Sequence, residues 1–205
     1  DIMYTELHSV ADEKAPRFAA GDFSGFDDSS HTFIMWVILK VILAFYGQPN
    51  WNGDVSKLSI ENRVRYMIFH ELTSCKLAQG KYIYSLKRGH PSGHVLTTPL
   101  NSMYNSLMFR YVSTRLIRGA GFKFYPSQFR TYFRLVAFGD DNLLAVHPDY
   151  KHIVNQNTLI EGFEEAGMVY TNETKTSVEG QADLRFLKDC QFLARSFVRL
   201  RGPWT

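Results

Sequence analysis

The chain has 205 residues, 45% of them apolar, with 23 basic and 20 acidic side chains and a formal net charge of +3. That size and composition suffice for one domain with a buried core, with room for a large insertion, and exclude a disordered chain. Two cysteines, Cys75 and Cys190, far apart and without CxxC or His-rich spacing, argue against a disulfide framework or a zinc site and suit a reducing, cytosolic setting.

The most apolar run, residues 33–47, is too short for a bilayer and is cut by Lys40, and no secretory or transit signal opens the chain. A soluble protein is predicted. A start at Asp1 without an initiator Met and an end at Thr205 without a tail lead us to expect a piece of something longer. In chain order, residues 17–30 (RFAAGDFSGFDDSS) begin as a short apolar strand and then turn polar. Residues 31–46 follow as a helix apolar nearly all round, hence expected to be buried, and Gly47 and Pro49 close it. After a loop at 48–59, Ser59 caps a helix whose periodicity runs to Gly80. KYIYSLK (81–87) alternates like a strand, and RGHPSGH (88–94) is a Gly/Pro turn. A long helix comes next, with Thr98 as its cap and Pro99 in its first turn. FRLVAF and NLLAV, separated by Gly139, Asp140 and Asp141, are a hairpin signature. Residues 150–167 read as an amphipathic helix ended by Gly167, and 183–200 as a strand pair. The order β, α, insertion, α, β, β, α, β predicts an α+β fold, an antiparallel RRM-like sheet with helices on one face.

Charge is unevenly spread. From Leu72 to Gly139 there is no acidic residue but ten basic ones: Lys76, Lys81, Lys87, Arg88, Arg110, Arg115, Arg118, Lys123, Arg130 and Arg134. The flanking segments carry −4 and −3, from 6 basic against 10 acidic and 7 against 10. Tyr82, Tyr84, Phe122 and Tyr125 interleave the block. Polyanion binding fits this pattern, because each neutralised phosphate releases counterions. A solvated basic face accounts for the charge equally well.

Two acidic stretches and one Gly-flanked loop carry candidate chemistry. Asp22 at a strand end and Asp140 at a hairpin tip come together if their strands are neighbours, and they then repel unless a cation lies between them. Mg²⁺ suits hard oxygen ligands, and two such ions form the clamp for in-line displacement at phosphorus. Gly-Asp-Asp is also an ordinary turn. In GHPSGHVLTTPLN, Ser92, Gly93, Thr97 and Asn101 follow the pattern S-G-x3-T-x3-N. Such a loop offers backbone donors to phosphate or sugar, and Thr97 and Asn101 share one side if the helix reaches back that far. A capped buried helix after a turn is the alternative. Met35, Trp36 and Phe45 read as core, and His31, His90, His94 and His147 as scattered structural histidines.

Together, DFSGFD, SGHVLTTPLN, FGDD, the KT of NETKTSV, and FLKD resemble, in order and separation, the palm motifs of RNA-dependent RNA polymerases of picorna-like positive-strand RNA viruses, insect viruses included. The likeness runs from Pro16 to Val198; each motif alone is weak, and five in the correct order are specific. The resemblance implies a polymerase palm with part of the fingers: a first palm segment (1–47), a fingers insertion (48–88) and the palm remainder (89–205). It implies that Asp22 and Asp140 hold two Mg²⁺ ions, replaceable by Mn²⁺, with Asp141 in support. Asp27 and Asn101 then read the ribose 2′-hydroxyl, assisted by Ser92, Gly93 and Thr97. Lys175 protonates the leaving pyrophosphate, and Lys188 lies in the hairpin that supports the primer end.

Two departures stand out: Asp189 replaces the usual Arg after Lys188, and Phe138 replaces the commoner Tyr before Gly-Asp-Asp. Implied partners are RNA template and primer, ribonucleoside triphosphates and other parts of a viral polyprotein, at membrane-associated replication complexes of the host cytoplasm. The family's complete enzyme adds further fingers and a thumb, so this piece is expected to be inactive alone. A reverse transcriptase palm is a competing reading, but it excludes the 2′-hydroxyl that Asp27 and Asn101 invite. A non-catalytic RRM-like RNA-binding module calls for stacking aromatics in RNP-type strands, and it leaves the acids without a task.

Overall fold

The computed structural model describes residues 2–11, 14–86, 88–173 and 184–198. Lys87 and Lys175 lie outside them. In chain order the elements begin with α1 (Ile2–His8), β1 (Phe18–Ser24), α2 (Phe26–Ser29), α3 (Thr32–Phe45) and α4 (Ile60–Thr73). A hairpin of β2 (Lys76–Gln79) and β3 (Tyr82–Ser85) leads to the long α5 (Thr97–Gly119) and the short α6 (Phe129–Tyr132). Strands β4 (Phe133–Phe138) and β5 (Asp141–Val146), helix α7 (Gln156–Glu165) and β6 (Val169–Asn172) follow, and β7 (Gln191–Phe192) with β8 (Arg195–Ser196) ends the series. The chain divides into two units, one of Asp1–Ser24 with Asn105–Thr205, the other Gly25–Tyr104.

The first unit is built on an antiparallel sheet in the order β4-β5-β1-β6. Strand β1 lies inside the sheet because its first four residues, Phe18 to Gly21, are small or apolar and buried on both faces. It pairs with β5 from Phe18↔Ala145 to Gly21↔Asn142, and with β6 from Gly21↔Asn172 to Ser24↔Val169. Period-2 alternation then assigns the faces. Phe18, Ala20, Leu143 and Ala145 pack with Leu7, Val10 and Ala11 from the N-terminal segment and with Leu187 and Cys190. On the other face Phe23 and Tyr170 meet Phe163 of α7, and Tyr170 and Phe163 meet Phe109 of α5, with ring centroids 4.8–5.8 Å apart. The two long helices thus cover one face as expected, while α1 and the C-terminal segment lie on the other. Helices α5 and α7 approach closely at Gly162, where a methyl would come within 2.7 Å of Val112.

In the second unit, Trp36 of α3 and Trp51 both pack on Tyr66 of α4. Helix α3 is not buried all round. It buries one stripe, Met35, Ile38, Leu39 and Leu43, and leaves Phe33 and Phe45 74% and 82% exposed, because only one of its faces is packed. Helix α4 stops at Thr73, short of Gly80: Thr73 turns its hydroxyl back to the Phe69 carbonyl, and Ser74 and Cys75 are weak helix formers. Residues 76–79 instead pair with β3 around Gly80, at φ 60°. Nor do residues 150–155 join α7, because Asn155 and Thr158 form a reciprocal capping box that starts the helix at Gln156. Helix α5 starts at Thr97, so Thr98 lies inside it rather than capping it, and Pro99 falls in the first turn, where no amide partner is lost.

Gly21 has no room for a side chain: an added methyl would overlap the Tyr170 ring and lie 2.5 Å from the Thr171 carbonyl oxygen. Gly21→Ala is expected to destabilise the fold by about 3 kcal/mol, the upper end for overpacking a filled core. Thermal or urea unfolding measures it, and an unchanged midpoint would mean that the ring and strand yield freely.

Candidate active site

The acids predicted from sequence lie at one end of two neighbouring strands. The β1–β5 pairing ends at Gly21↔Asn142, so Asp22 and Asp141 are the next residues on their strands and share a face. Asp140 occupies the turn between β4 and β5, whose closing pair is Phe138↔Asp141. That two-residue loop opens with Gly139 at φ 65°, the position where a type II′ turn calls for glycine. The Asp22 carboxylate accepts a hydrogen bond from the Phe23 amide (2.9 Å), and all three aspartates are partly exposed.

The turn is held by residues that sequence reasoning overlooked. Asn105 of α5 donates from Nδ2 to the carbonyls of both Gly139 and Asp140, each at 3.1 Å. Asn142 donates to the Asp140 carbonyl at 3.0 Å and accepts from the Tyr170 hydroxyl at 2.7 Å. All three side chains are buried, and burial pushes the Tyr170 phenol well above its ordinary range, so it remains a neutral donor. The signal available in the sequence was two asparagines in otherwise apolar runs, which a core admits only when they are hydrogen-bonded.

The second unit holds the other predicted group. Asn101 donates from Nδ2 to Asp27 Oδ1 at 2.6 Å. Thr97, the first residue of α5, lies one turn before Asn101, and its Oγ1 and Asn101 Oδ1 are buried with no hydrogen-bond partner among the described residues. Ser92 and Gly93 form an exposed turn, with Gly93 at φ 86°. His90, read from sequence as a scattered structural residue, lies against this pair, with Nε2 3.5 Å from Asp27 Oδ1.

Lys188 is exposed in the 3-10 turn Leu187–Asp189, just ahead of the β7–β8 hairpin rather than within it. That segment is anchored by Arg185, whose guanidinium forms two 2.7 Å hydrogen bonds with Glu173 and a third with the Ala20 carbonyl. Burial disfavours the Arg185 charge, but the Glu173 carboxylate outweighs it and raises the pKa. Burial pushes the Cys190 thiol up to about 12, in keeping with an inert cysteine. The acid-free block is divided between the units, and several of its cations are engaged internally. Arg115 pairs with Glu165, Arg134 with Glu6 at 3.1 Å, and Arg118 donates to the Phe124 carbonyl.

An antiparallel sheet in this order, with crossover helices on one face and carboxylates at adjacent strand ends, defines a polymerase palm. The chain belongs to the viral RNA-dependent RNA polymerase family, whose model matches residues 2–205. It is 29% identical over 187 residues to the replicase polyprotein of acute bee paralysis virus (strain Rothamsted), covering 89% of this chain and 9% of that polyprotein. It is 29% identical over 179 residues to the RNA1 polyprotein of Andean potato mottle virus, covering 87% of this chain and 23% of that one. The solved Sicinivirus 3Dpol RNA-dependent RNA polymerase shares the fold, with a TM-score of 0.69 at 19% identity over 97% of this chain and 36% of its own. The chain therefore spans only a small part of the polyproteins it matches.

Polymerases of this family generally use divalent metal ions. Among the described residues no group of three or more His, Cys, Asp or Glu side chains forms a complete metal cage. Mg²⁺ retains waters and substrate phosphates and needs only one or two carboxylates, so Asp22 and Asp140 fit it.

Asn105→Ala would leave two backbone carbonyls at the turn short of a donor. We expect a loss of about 1–3 kcal/mol, read from thermal unfolding. A variant as stable as the parent would show that Asn142 alone holds the turn.

Proposed function

We propose that this chain is the catalytic palm portion of a viral polymerase that copies an RNA template into RNA from ribonucleoside triphosphates. The observation that carries this reading is the β1–β5 register, which leaves Asp22 and the Gly139-Asp140-Asp141 turn at the same end of adjacent strands. In the reaction the primer 3′-hydroxyl oxygen attacks the α-phosphorus, the new P–O bond forms, the bond to the bridging oxygen breaks, and pyrophosphate leaves.

Asp22 and Asp140 would hold two Mg²⁺ ions, for which Mn²⁺ can substitute, with Asp141 as a supporting carboxylate. Bound there, such ions supply activation of the attacking hydroxyl and neutralise charge on the leaving group. The chain's own contribution is positioning. A strand end and a clamped turn hold the carboxylates on the sheet, where a free loop would let their repulsion drive them apart. Asp27 and Asn101 read the ribose 2′-hydroxyl with Ser92, Gly93 and Thr97 assisting. A hydroxyl that both donates and accepts suits a carboxylate beside an amide, and it would meet Thr97 Oγ1 and Asn101 Oδ1, which have no hydrogen-bond partner among the described residues. Lys175 is assigned protonation of the departing pyrophosphate, and the exposed Lys188 a contact with the primer near its 3′ end.

Partners under this reading are template and primer RNA, ribonucleoside triphosphates and the other parts of the viral polyprotein. The proposed location is the host cytoplasm, at membrane-associated replication complexes. Among the described residues no helix is long and apolar enough to cross a membrane.

In the polymerase that contains this segment, Asp140→Asn is expected to reduce nucleotide incorporation by roughly a hundredfold or more while RNA binding stays within about twofold. Primer extension and filter binding measure the two, and robust extension by the variant in Mg²⁺ would sink the metal assignment. Asn101→Ala is expected to lower ribonucleotide efficiency more than deoxyribonucleotide efficiency, narrowing their ratio by about tenfold. Single-nucleotide kinetics with both substrates on one template decide it; an unchanged ratio means the Asp27–Asn101 pair is structural.

A further inference from the structure

His90 is 3% exposed, and its Nε2 is a buried nitrogen without a partner in hydrogen-bond geometry among the described residues. Nothing about the hydrophobic packing of the second unit requires an imidazole here; a buried polar ring without full satisfaction costs stability. The backbone nevertheless brings it in. Gly89, at φ 82°, comes so close to α2 that a methyl would lie 2.7 Å from the Asp27 carbonyl oxygen. The Gly89 amide donates to the Ser30 carbonyl (2.9 Å), the His90 amide to the Asp27 carbonyl (3.2 Å), and Arg88 Nε to the Ser29 carbonyl (3.0 Å). Three successive residues are thus stapled to α2 and its exit, and the side chain delivered is His90.

The tautomer follows from the neighbours. Ser30 Oγ lies 3.0 Å from His90 Nδ1 and 3.1 Å from the Asp27 carbonyl, and it has one proton to give. The carbonyl has a second lone pair, so Ser30 can serve either acceptor; the Asp27 carboxylate 3.5 Å from Nε2 decides, because it faces a proton there, and the hydroxyl then donates to Nδ1. The opposite tautomer would aim a lone pair at the Asp27 carboxylate. Burial lowers the His90 pKa, outweighing the attraction of Asp27, which keeps the ring neutral near neutral pH. Nε2–H then faces Asp27 Oδ1 at 3.5 Å, the same oxygen that accepts from Asn101 Nδ2 at 2.6 Å. A second donor at Asp27 Oδ1 holds that carboxylate oxygen toward Asn101 Nδ2. Without it, the carboxylate loses the buried donor on its His90 side and can rotate away from Asn101.

We propose that His90, carrying its proton on Nε2, is a positioning residue that locks the Asp27–Asn101 pair and thereby sets how strongly ribonucleotides are preferred over deoxyribonucleotides. The inference rests on the sugar-reading role proposed for that pair. It is tested in the polymerase that contains this segment by single-nucleotide incorporation of matched ribo- and deoxyribonucleoside triphosphates. His90→Gln keeps a donor near Nε2, whereas His90→Asn moves it to the Nδ1 side. The Asn variant is expected to narrow the ribo-to-deoxyribo ratio by about tenfold, and the Gln variant to keep it within about twofold of the parent. Equal ratios in parent, Gln and Asn proteins overturn the proposal, as does an equal narrowing in both variants. A parent that does not discriminate, or an Asn101→Ala protein that discriminates like the parent, indicts the sugar-reading role instead. If the Asn variant fails to fold, long-range proton–nitrogen spectra of the unmodified protein read the tautomer directly, and a proton on Nδ1 of His90 overturns the assignment.

Discussion

The ring of Tyr170 fills the space that a side chain at position 21 would take. Because Gly21 leaves that space, Tyr170 on β6 can reach across β1 to Asn142 on β5, and Asn142 in turn holds the Asp140 carbonyl. One missing side chain thus couples three strands and the acid turn. The coupling matters because carboxylates at adjacent strand ends repel, and a turn free to move would separate them. The part of the turn that Asn105 and Asn142 clamp is its backbone, through the carbonyls of Gly139 and Asp140. Each clamp is buried and polar, so an unmade bond there costs more than an exposed one would.

The second unit applies a similar device to a different group. Asp27 lies in a helix of a single turn, which has little stability of its own, and its position is imposed by the loop stapled to it through Gly89 and His90 and by Asn101 from α5. Buried polar clusters are demanding structures: fully satisfied they specify one arrangement, partly satisfied they lose stability. Among the described residues, Thr97 Oγ1, Asn101 Oδ1 and His90 Nε2 of this cluster are buried without a hydrogen-bond partner.

Charge also works locally rather than as a general field. Arg185 and Glu173 are a buried bidentate pair, which gains little net stability over apolar packing but is costly to break, and it fixes the segment before Lys188 against β1. Several arginines of the acid-free block close ion pairs or carbonyl contacts within the first unit. Net charge per stretch therefore overstates how many cations are available to a polyanion.

The sequence by itself determined strands β1, β4 and β5 and the candidate acids, since alternation, turn glycines and motif spacing are local properties of the chain. It did not show the edge strand β6, and of the strand pair read over 183–200 only the short β7 and β8 form among the described residues, outside that sheet. The β4–β5 hairpin around Gly139 and the pairing of Asp27 with Asn101 were both legible, the first from turn chemistry and the second from motif resemblance. Periodicity misjudged the end of α4, where Thr73 and Ser74 interrupt the helix and Gly80 turns the chain into a hairpin. It also misjudged α3, whose composition is apolar all round while its surroundings cover only one stripe. Tertiary structure alone decided that Asn105, Asn142 and Tyr170 hold the acid turn and that His90 faces Asp27. Apart from the local bond of Asn142 to the Asp140 carbonyl, those contacts join positions 28 to 63 apart along the chain, and a buried polar group reveals its purpose only when its partner is in place.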